Sequence, residues 1–260
     1  TYTDLRFTTR DGITLLSYWV RSDYTSATAT VTIKIDSIPA TNGAVIFMYY
    51  GNASASAGSS LANTFPDGDE FLTDTSANYS VVGGSISYDS VNKRLNLVGV
   101  NNANQVVAPT SQTPPGGYII EMSGSIVTRG GSVDLHFGIL GFQDTIADTN
   151  SGYVCQFGNF SSSEKVGIEK FTVSHLDQDV IAYDEGTLYN IYGKFVSGAL
   201  VATWNNSVSS VSADATFTSG YYGFRSYNAN GVIDWWFRRK YTANEPVVGT
   251  PETEESNNWL

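Results

Sequence analysis

Cysteine and histidine are scarce in this chain. Its 260 residues contain one cysteine, Cys155, and two histidines, His136 and His175. One thiol excludes an internal disulfide framework, and so few thiols and imidazoles nearly exclude a zinc site. Cys155 lies in an apolar strand-like stretch, which predicts a buried, unreactive thiol, and His175 is predicted to be a turn residue. The stability of the fold must therefore come from its core or from bound ions.

Positive charge and long apolar runs are also lacking. Lys and Arg number 14 against 25 Asp and Glu, which gives a formal net charge of -11. Such a charge repels nucleic-acid phosphates and anionic lipid, and the one basic cluster is Arg238, Arg239 and Lys240. No run of 18 apolar residues is present. We therefore expect no nucleic-acid partner and no membrane insertion within this segment.

Hydroxyl groups and aromatic rings are abundant instead. The chain has 56 Ser plus Thr, 16 Tyr and 13 Phe, while charged residues make up 15%. This composition predicts an ordered core under a surface of hydroxyls rather than charges. Four Asn-X-Ser/Thr sequons, at Asn52, Asn78, Asn159 and Asn205, lie in polar stretches and are possible glycosylation sites. Together these features favour an extracellular or cell-surface protein.

Apolar and polar residues alternate with a period of two along most of the chain, and a sustained helical stripe is missing. The alternation predicts strands within 28–35, 43–50, 95–98, 118–126, 133–137, 153–157, 165–173, 188–195, 200–204, 219–225 and 232–240. One short helix is expected at 53–61. Short strands separated by turn residues predict an all-β fold, namely a small incomplete β module followed by a two-sheet antiparallel jelly-roll sandwich.

The domain boundaries follow from changes in composition. We expect a β module at residues 1–62, a sandwich at 63–241 and an extended acidic tail or linker at 242–260. The first module has three or four predicted strands, which are too few to enclose a core without a partner sheet.

Four stretches near the N-terminus carry a family resemblance. They are Asp4-Leu-Arg-Phe-Thr, Asp11-Gly-Ile-Thr-Leu-Leu-Ser-Tyr-Trp-Val, Thr30-Val-Thr-Ile-Lys-Ile-Asp-Ser-Ile-Pro-Ala and Ile46-Phe-Met-Tyr-Tyr-Gly-Asn-Ala-Ser-Ala. This pattern resembles the second half of the uncharacterised domain family DUF2341, which occurs in secreted and cell-surface proteins of archaea and bacteria. In that family a concanavalin A-like lectin/glucanase (laminin G-like) sandwich often follows. The segments Gly223-Phe-Arg-Ser-Tyr and Ile233-Asp-Trp-Trp-Phe-Arg-Arg-Lys-Tyr look like the end of such a sandwich.

The resemblance also implies an open sheet edge. Family members carry further strands before the point that corresponds to Thr1, so the first module here is expected to be incomplete. Either the chain is a fragment of a longer protein, or another copy completes the edge by donating a strand. The segment 242–260 is the candidate donor.

Catalytic motifs are not apparent. Sandwich glucanases carry a Glu-X-Asp-X-X-Glu strand motif, whereas the comparable strand here has Asp134 alone. Asp134 and His136 share a face and could act as a base with its orienting group, but a hydrogen-bonded structural pair is the favoured interpretation. Solvated surface positions are predicted for Glu164, Glu169 and Glu185. The chain is expected not to be an enzyme, although a glycoside hydrolase is not fully excluded.

Calcium is the one cofactor that the pattern allows. Asp67 and Asp69 offer oxygen ligands in a Gly-containing turn, and Asp234 from the final strand could join them. The simpler interpretation is that these aspartates cap their own turn, without any bound cofactor.

Carbohydrate binding requires an exposed aromatic face with a few polar partners. Alternation along the last strand places Trp235 and Trp236 on opposite faces, so one of them should point outward. That ring could stack on a sugar with Tyr227, or it could pack against the first module. Asn228 and Asn230 are candidate polar partners, and a hairpin turn is their alternative role.

These patterns lead to two functional hypotheses. The first is a non-catalytic structural or adhesive surface protein, a candidate subunit of a filament or envelope layer, which self-associates by strand donation or contacts neighbouring domains of a longer chain. The alternative is the carbohydrate-binding module of a secreted polysaccharide-active protein, with polysaccharide as its partner. The arrangement of exposed aromatic residues would discriminate between the two.

Overall fold

The computed structural model describes residues 2–21, 28–41, 43–99, 104–113, 116–129, 134–147, 150–171 and 174–250. Within these ranges the protein is almost entirely β-structure, and the strands form two large antiparallel sheets that pack as a sandwich. The all-β sandwich predicted from alternation is confirmed.

Four short strands precede the sandwich. They are β1 (Arg6–Thr9), β2 (Tyr18–Val20), β3 (Val31–Ile33) and β4 (Ile46–Tyr49). β1 pairs with β4 and β2 pairs with β3, each as an antiparallel two-stranded sheet. Their small core contains Leu5, Phe7 and Tyr18. Two-stranded sheets are marginal alone in water, so these strands depend on packing against the rest of the chain.

One short helix, α1 (Leu61–Thr64), follows these strands. It begins later than the predicted stretch at 53–61, because Ser60 is its N-cap and accepts a hydrogen bond from the Asn63 amide at 3.2 Å. The small residues before Ser60 supply no apolar stripe that could hold a helix against the core. A 3₁₀ turn occupies Ser76–Asn78.

The remaining strands build the sandwich. They are β5 (Asp67–Asp69), β6 (Tyr79–Val82), β7 (Gly84–Asp89), β8 (Arg94–Gly99), β9 (Asn104–Pro109), β10 (Tyr118–Arg129), β11 (Leu135–Gln143), β12 (Tyr153–Phe160), β13 (Ser163–Lys170), β14 (Ser174–Val180), β15 (Tyr189–Phe195), β16 (Leu200–Trp204), β17 (Val208–Ser212), β18 (Tyr221–Tyr227) and β19 (Ala229–Lys240). The predicted strands recur here, while β5, β6, β7, β9, β14 and β17 were not anticipated.

The two sheets have a clear strand order. One sheet runs β17-β16-β15-β10-β19-β8-β7, with β5 also paired to β19, and the other runs β14-β13-β12-β11-β18-β9-β6. Alternate side chains from both sheets meet in one large core that contains Phe137, Phe157, Phe224 and Trp236. The opposite face of each sheet points away from this core. We call the face of the β14-to-β6 sheet that points away from the core the outer face.

A cluster of aromatic rings joins the N-terminal strands to the sandwich. Trp19 of β2 packs against Trp235 and Phe237 of β19 and against Phe65, which follows α1. Trp19 is fully buried, and its indole Nε1 donates a 2.6 Å hydrogen bond to Glu70. The cluster contains residues from both sides of position 62, and the domain boundary placed there stays a prediction.

Candidate functional site

Polar and aromatic side chains gather on the outer face. Along β11, Leu135, Phe137 and Ile139 enter the core, so the alternate residue His136 lies on the opposite side. In the strand register, His136 is the neighbour of Tyr227 on β18, and Tyr227 is the neighbour of Asn104 on β9. Three adjacent strands thus present one row of functional groups.

Arg225 is the centre of a hydrogen-bond network on this face. Its Nη1 donates to Gln156 Oε1 at 2.8 Å and to Glu169 Oε2 at 2.7 Å, while its Nε donates to Asn104 Oδ1 at 2.8 Å. The guanidinium also lies 4.9 Å from the ring centroid of Phe171. One buried arginine therefore ties four strands together: its own β18, β9, β12 and β13.

A glycine makes this network possible. Arg225 and Gln156 lie on strands that flank β11, and the residue between them in the register is Gly138. A Cβ atom on Gly138 would stand only 2.5 Å from the Gln156 Cα and 2.6 Å from its Cβ. Because Gly138 has no side chain, the side chains of Arg225 and Gln156 can meet above β11.

Burial and nearby charges together shift the pKa values of two groups on this face. Burial opposes ionisation of Glu169, but the charge of Arg225 and the hydrogen bonds from Arg225 and Gln156 outweigh it and hold the pKa of Glu169 below its usual value. Burial, followed by the positive charge of Arg225, lowers the pKa of His136 to about 4. At neutral pH the face therefore holds an ion pair beside an uncharged imidazole.

We name five residues at one end of the outer face the His136 cluster: Asp134, His136, Phe160, His175 and Tyr227. The His136 ring stacks between Phe160, at 4.3 Å between centroids, and Tyr227, at 5.6 Å. His136 Nε2 lies 3.2 Å from Asp134 Oδ1, and the Asp134 side chain is 46% exposed. Tyr227 is half-buried and His175 is exposed. The cluster combines an aromatic floor with accessible polar groups.

Two predicted stacking residues lie elsewhere. Trp235 is 1% exposed and Trp236 is 2% exposed, so neither indole ring is open to solvent. Trp235 does lie on the face away from the core, but Trp19 and Arg21 cover it. Trp236 enters the core and donates to the Tyr79 hydroxyl at 2.8 Å. Neither ring can stack on a sugar in this structure.

The two predicted polar partners lie just after β18 and at the start of β19. Asn228 has a φ of 52° in the tight connection from β18 to β19. Its side-chain amide donates a hydrogen bond to the Asp134 backbone carbonyl at 2.8 Å. Asn230 lies within β19 and donates to Thr128 at 2.9 Å. β18 and β19 belong to opposite sheets, so the alternative role of these residues in a hairpin turn is wrong.

The predicted calcium ligands are engaged by protein groups. Asp67 forms an ion pair with Arg238, and Asp234 forms one with Arg94 at 2.9 Å. Asp69 accepts hydrogen bonds from the Thr75 hydroxyl at 2.6 Å, the Phe71 amide and the Tyr79 hydroxyl. Among the residues that the structure describes, no three His, Cys, Asp or Glu side chains come together to hold a metal ion.

Several other predictions can be compared with the structure. Cys155 is fully buried in β12 as predicted, and burial raises the pKa of its thiol. Glu169 is 8% exposed, so its predicted surface position is wrong. Glu164 is half-buried and Glu185 is exposed, and His175 lies on β14 rather than in a turn.

The four sequons differ in accessibility. Asn52, Asn78 and Asn205 are exposed, which leaves them available as predicted glycosylation sites. Asn159 is buried in β12, where its amide oxygen faces the Tyr183 hydroxyl at 3.5 Å. A glycan there would need space that the packed strand lacks, so burial disfavours Asn159 as a glycosylation site.

Sequence reasoning missed Arg225, Gln156 and Phe160. The alternation in β18 places Arg225 opposite the core residues Tyr222 and Phe224, and a charged residue inside so apolar a strand was a usable signal. Gln156 is equally polar between the core residues Cys155 and Phe157.

The helices that the structure describes are all too short and too polar to cross a membrane. In the predicted tail, residues 242–250 carry no strand, Glu245 pairs with Arg239 at 2.6 Å, and 251–260 lie outside the described residues.

Comparison with protein families gives a match in the N-terminal part of the chain. Residues 1–80 match the model of DUF2341, a domain of unknown function. The match begins where the resemblance was found and extends past the predicted boundary at residue 62. No curated protein matches the sequence.

Solved structures with a similar fold are lectin-like domains. A Bacillus subtilis protein of unknown function with a galectin-like fold aligns with a TM-score of 0.53 at 14% identity, over 67% of this chain and 94% of its own. The potassium-bound Emp46p carbohydrate recognition domain aligns with a TM-score of 0.51 at 12% identity, over 65% and 94%. The Ca²⁺/Man2-bound exoplasmic/lumenal domain of VIP36 aligns with a TM-score of 0.51 at 8% identity, over 68% and 88%. At these identities the likeness shows a lectin-like sandwich fold, and the finer assignment to a laminin G-like sandwich stays a prediction.

Proposed function

We propose that this chain is a non-catalytic, extracellular carbohydrate-binding protein whose glycan site is the His136 cluster. The observation that carries the proposal is the aromatic stack of Tyr227, His136 and Phe160 beside the accessible carboxylate of Asp134. Sugars bind where a ring face covers their C–H groups and a few polar atoms fix their hydroxyls. The carbohydrate recognition domains among the similar structures support this reading.

The network around Arg225 prepares the site for binding. Its hydrogen bonds to Asn104, Gln156 and Glu169 tie β18 to β9, β12 and β13 beside the cluster. A preorganised surface loses less entropy when a ligand binds, which favours affinity. Because Arg225 is paired with Glu169, this network carries no net charge toward a ligand, which favours neutral glycans.

A screen of the full 260-residue chain against immobilised polysaccharides tests the proposal. Retention on at least one neutral polysaccharide is expected, and no retention on any of them would contradict it. The screen is run with Ca²⁺ and again with a chelator, which shows whether retention depends on calcium at the predicted ligands Asp67, Asp69 and Asp234. Release of reducing sugar during the screen would contradict the non-catalytic assignment.

A second candidate function is assembly by strand donation. Five apolar side chains on or near β1 and β4 are exposed, namely Ile13, Leu15, Phe47, Met48 and Tyr50. Val247 and Val248 in the tail are more than 90% exposed. They are apolar, like the exposed side chains along β1 and β4. The proposed occupant of the edge is the 242–250 segment of a second copy. Light scattering tests it: large particles that revert to monomers when 242–260 is deleted support assembly, and a monomeric full chain contradicts it.

A further inference from the structure

A cleft separates the two sheets beside β5, far along β19 from the His136 cluster. It consists of two adjoining hollows of about 400 and 470 Å³, which share Pro66, Asp67, Thr110 and Ser111 in their walls. Volumes of this size fall within the range of small-molecule sites, roughly 300–1,000 Å³. The cleft forms where β8 ends and the short β5 takes its place beside β19.

Hydrogen bonds hold both walls in place without a ligand. On one side, the Asp69 carboxylate is fixed by Thr75, Phe71 and Tyr79. On the other side, Gln112 donates to the carbonyls of Pro109 and Tyr222 and accepts from the Tyr222 amide at 3.0 Å, which ties the loop after β9 to β18. The cleft is therefore preformed, and a ligand would not have to order it.

The Asp67 and Arg238 charges of the cleft are paired with each other, and the Asp69 carboxylate is held by hydrogen bonds. Both Nε and Nη2 of Arg238 donate to a single carboxylate oxygen, Asp67 Oδ2, at 2.7 and 2.5 Å. Asp67 and Arg238 both line the second hollow, so a carboxylate and a guanidinium lie side by side at the cleft. A neighbouring acceptor and donor match the hydroxyl groups of a polyol, whereas a paired charge offers little to a free ion.

The remaining lining is divided by polarity. Pro66 and Pro109 supply apolar surface, while Thr110 and Ser111 supply hydroxyls. A pyranose ring has the same division, because its C–H faces are apolar and its rim carries hydroxyl groups. We infer that this cleft is a second binding site, separate from the His136 cluster, which takes one neutral sugar unit through the Asp67 and Arg238 pair.

Amide NMR of the full chain tests the inference with glucose, galactose and mannose as neutral probes and glucuronate as the charged one. At least one neutral sugar should move the Thr110 and Ser111 resonances. In Ser111→Trp the indole fills the cleft, and the affinity should fall about tenfold or more. The matched control is Ser219→Trp, which changes an exposed serine in the loop before β18 and should bind like the parent chain.

The other outcomes overturn the inference. In the first, these resonances do not move with any neutral sugar at millimolar concentration. In the second, they move with glucuronate alone. In the third, Ser111→Trp binds the sugar as tightly as the parent chain does. Tyr227→Ala separates the two sites: the cleft should keep its sugar in that variant even if polysaccharide binding is lost. Loss of the cleft signal in a folded Tyr227→Ala protein would place the sugar at the His136 cluster.

Discussion

Trp19 packs edge-on against Trp235, with 5.3 Å between the ring centroids and 72° between the ring planes. This contact joins the N-terminal strands to the last strand of the sandwich and closes the outward surface of β19. It explains why Trp235 serves the fold rather than a ligand.

Replacing Trp19 by Ala should cost about 3–5 kcal/mol of unfolding free energy, because it opens a cavity between Trp235, Phe237 and Phe65. It also leaves Glu70 without its indole donor. Urea denaturation followed by circular dichroism measures the loss. Phe47→Ala is the control. Because Phe47 is exposed, this substitution should lower the unfolding free energy by about 0.5 kcal/mol or less. Equal losses in both variants would contradict the joining role of Trp19.

Removing one partner of the buried Arg225–Glu169 ion pair should lower the free energy of unfolding more than removing both partners. Arg225→Met leaves the Glu169 carboxylate buried without its partner and should cost about 3–5 kcal/mol. The double variant Arg225→Met with Glu169→Leu should recover most of this loss, because no uncompensated charge remains. Chemical denaturation of the three proteins provides the comparison. If the double variant is as unstable as the single one, the Arg225 hydrogen bonds to Asn104 and Gln156 outweigh the charge effect.

The imidazole of His136 should make stability depend on pH. Its folded pKa of about 4 lies below the ordinary value for histidine, so the unfolded chain binds the proton more readily. The stabilising contribution is present above about pH 6.5 and is lost as the pH falls toward 4, by about 2 kcal/mol between pH 7 and 5. Arg225 favours this neutral state, while Asp134 and Glu169 oppose it.

His136→Phe keeps a ring between Phe160 and Tyr227 but cannot take up a proton. The variant should therefore lose less stability than the parent chain when urea midpoints are compared at pH 7 and pH 5. His175→Phe is the control, since that imidazole is exposed. A parent chain and a His136→Phe variant with the same pH dependence would show that His136 does not titrate as described.

Glycosylation should follow exposure when the chain is produced in a host that modifies sequons. Asn159 should remain unmodified because it is buried in β12, whereas Asn52, Asn78 and Asn205 can accept a glycan. Glycopeptide mass spectrometry of the native protein measures the occupancy at each site. A glycan found at Asn159 would contradict this and would mean that Asn159 is modified before β12 packs between β11 and β13.

The strands of the core could be predicted from sequence because alternation is a local property. Phe137, Phe157 and Phe224 all lie in predicted segments and all enter the core. The site could not be predicted in the same way, since Arg225 contacts partners 56, 69 and 121 residues away in the chain. Alternation correctly placed Trp235 and Trp236 on opposite faces, but it could not show that Trp19 covers the outward one. A local pattern predicts on which face of a strand a side chain lies, but not which residues pack over that side chain.

The central claim is that the His136 cluster binds neutral glycan through the ring of Tyr227. The most direct test is the dissociation constant of a retained polysaccharide for the full chain, for Tyr227→Ala and for Tyr50→Ala, which removes an exposed tyrosine far from the cluster. The account predicts that Tyr227→Ala weakens binding about tenfold or more, by analogy with the loss of other stacking anchors, while Tyr50→Ala binds like the parent chain. Unchanged affinity in a correctly folded Tyr227→Ala protein would contradict it.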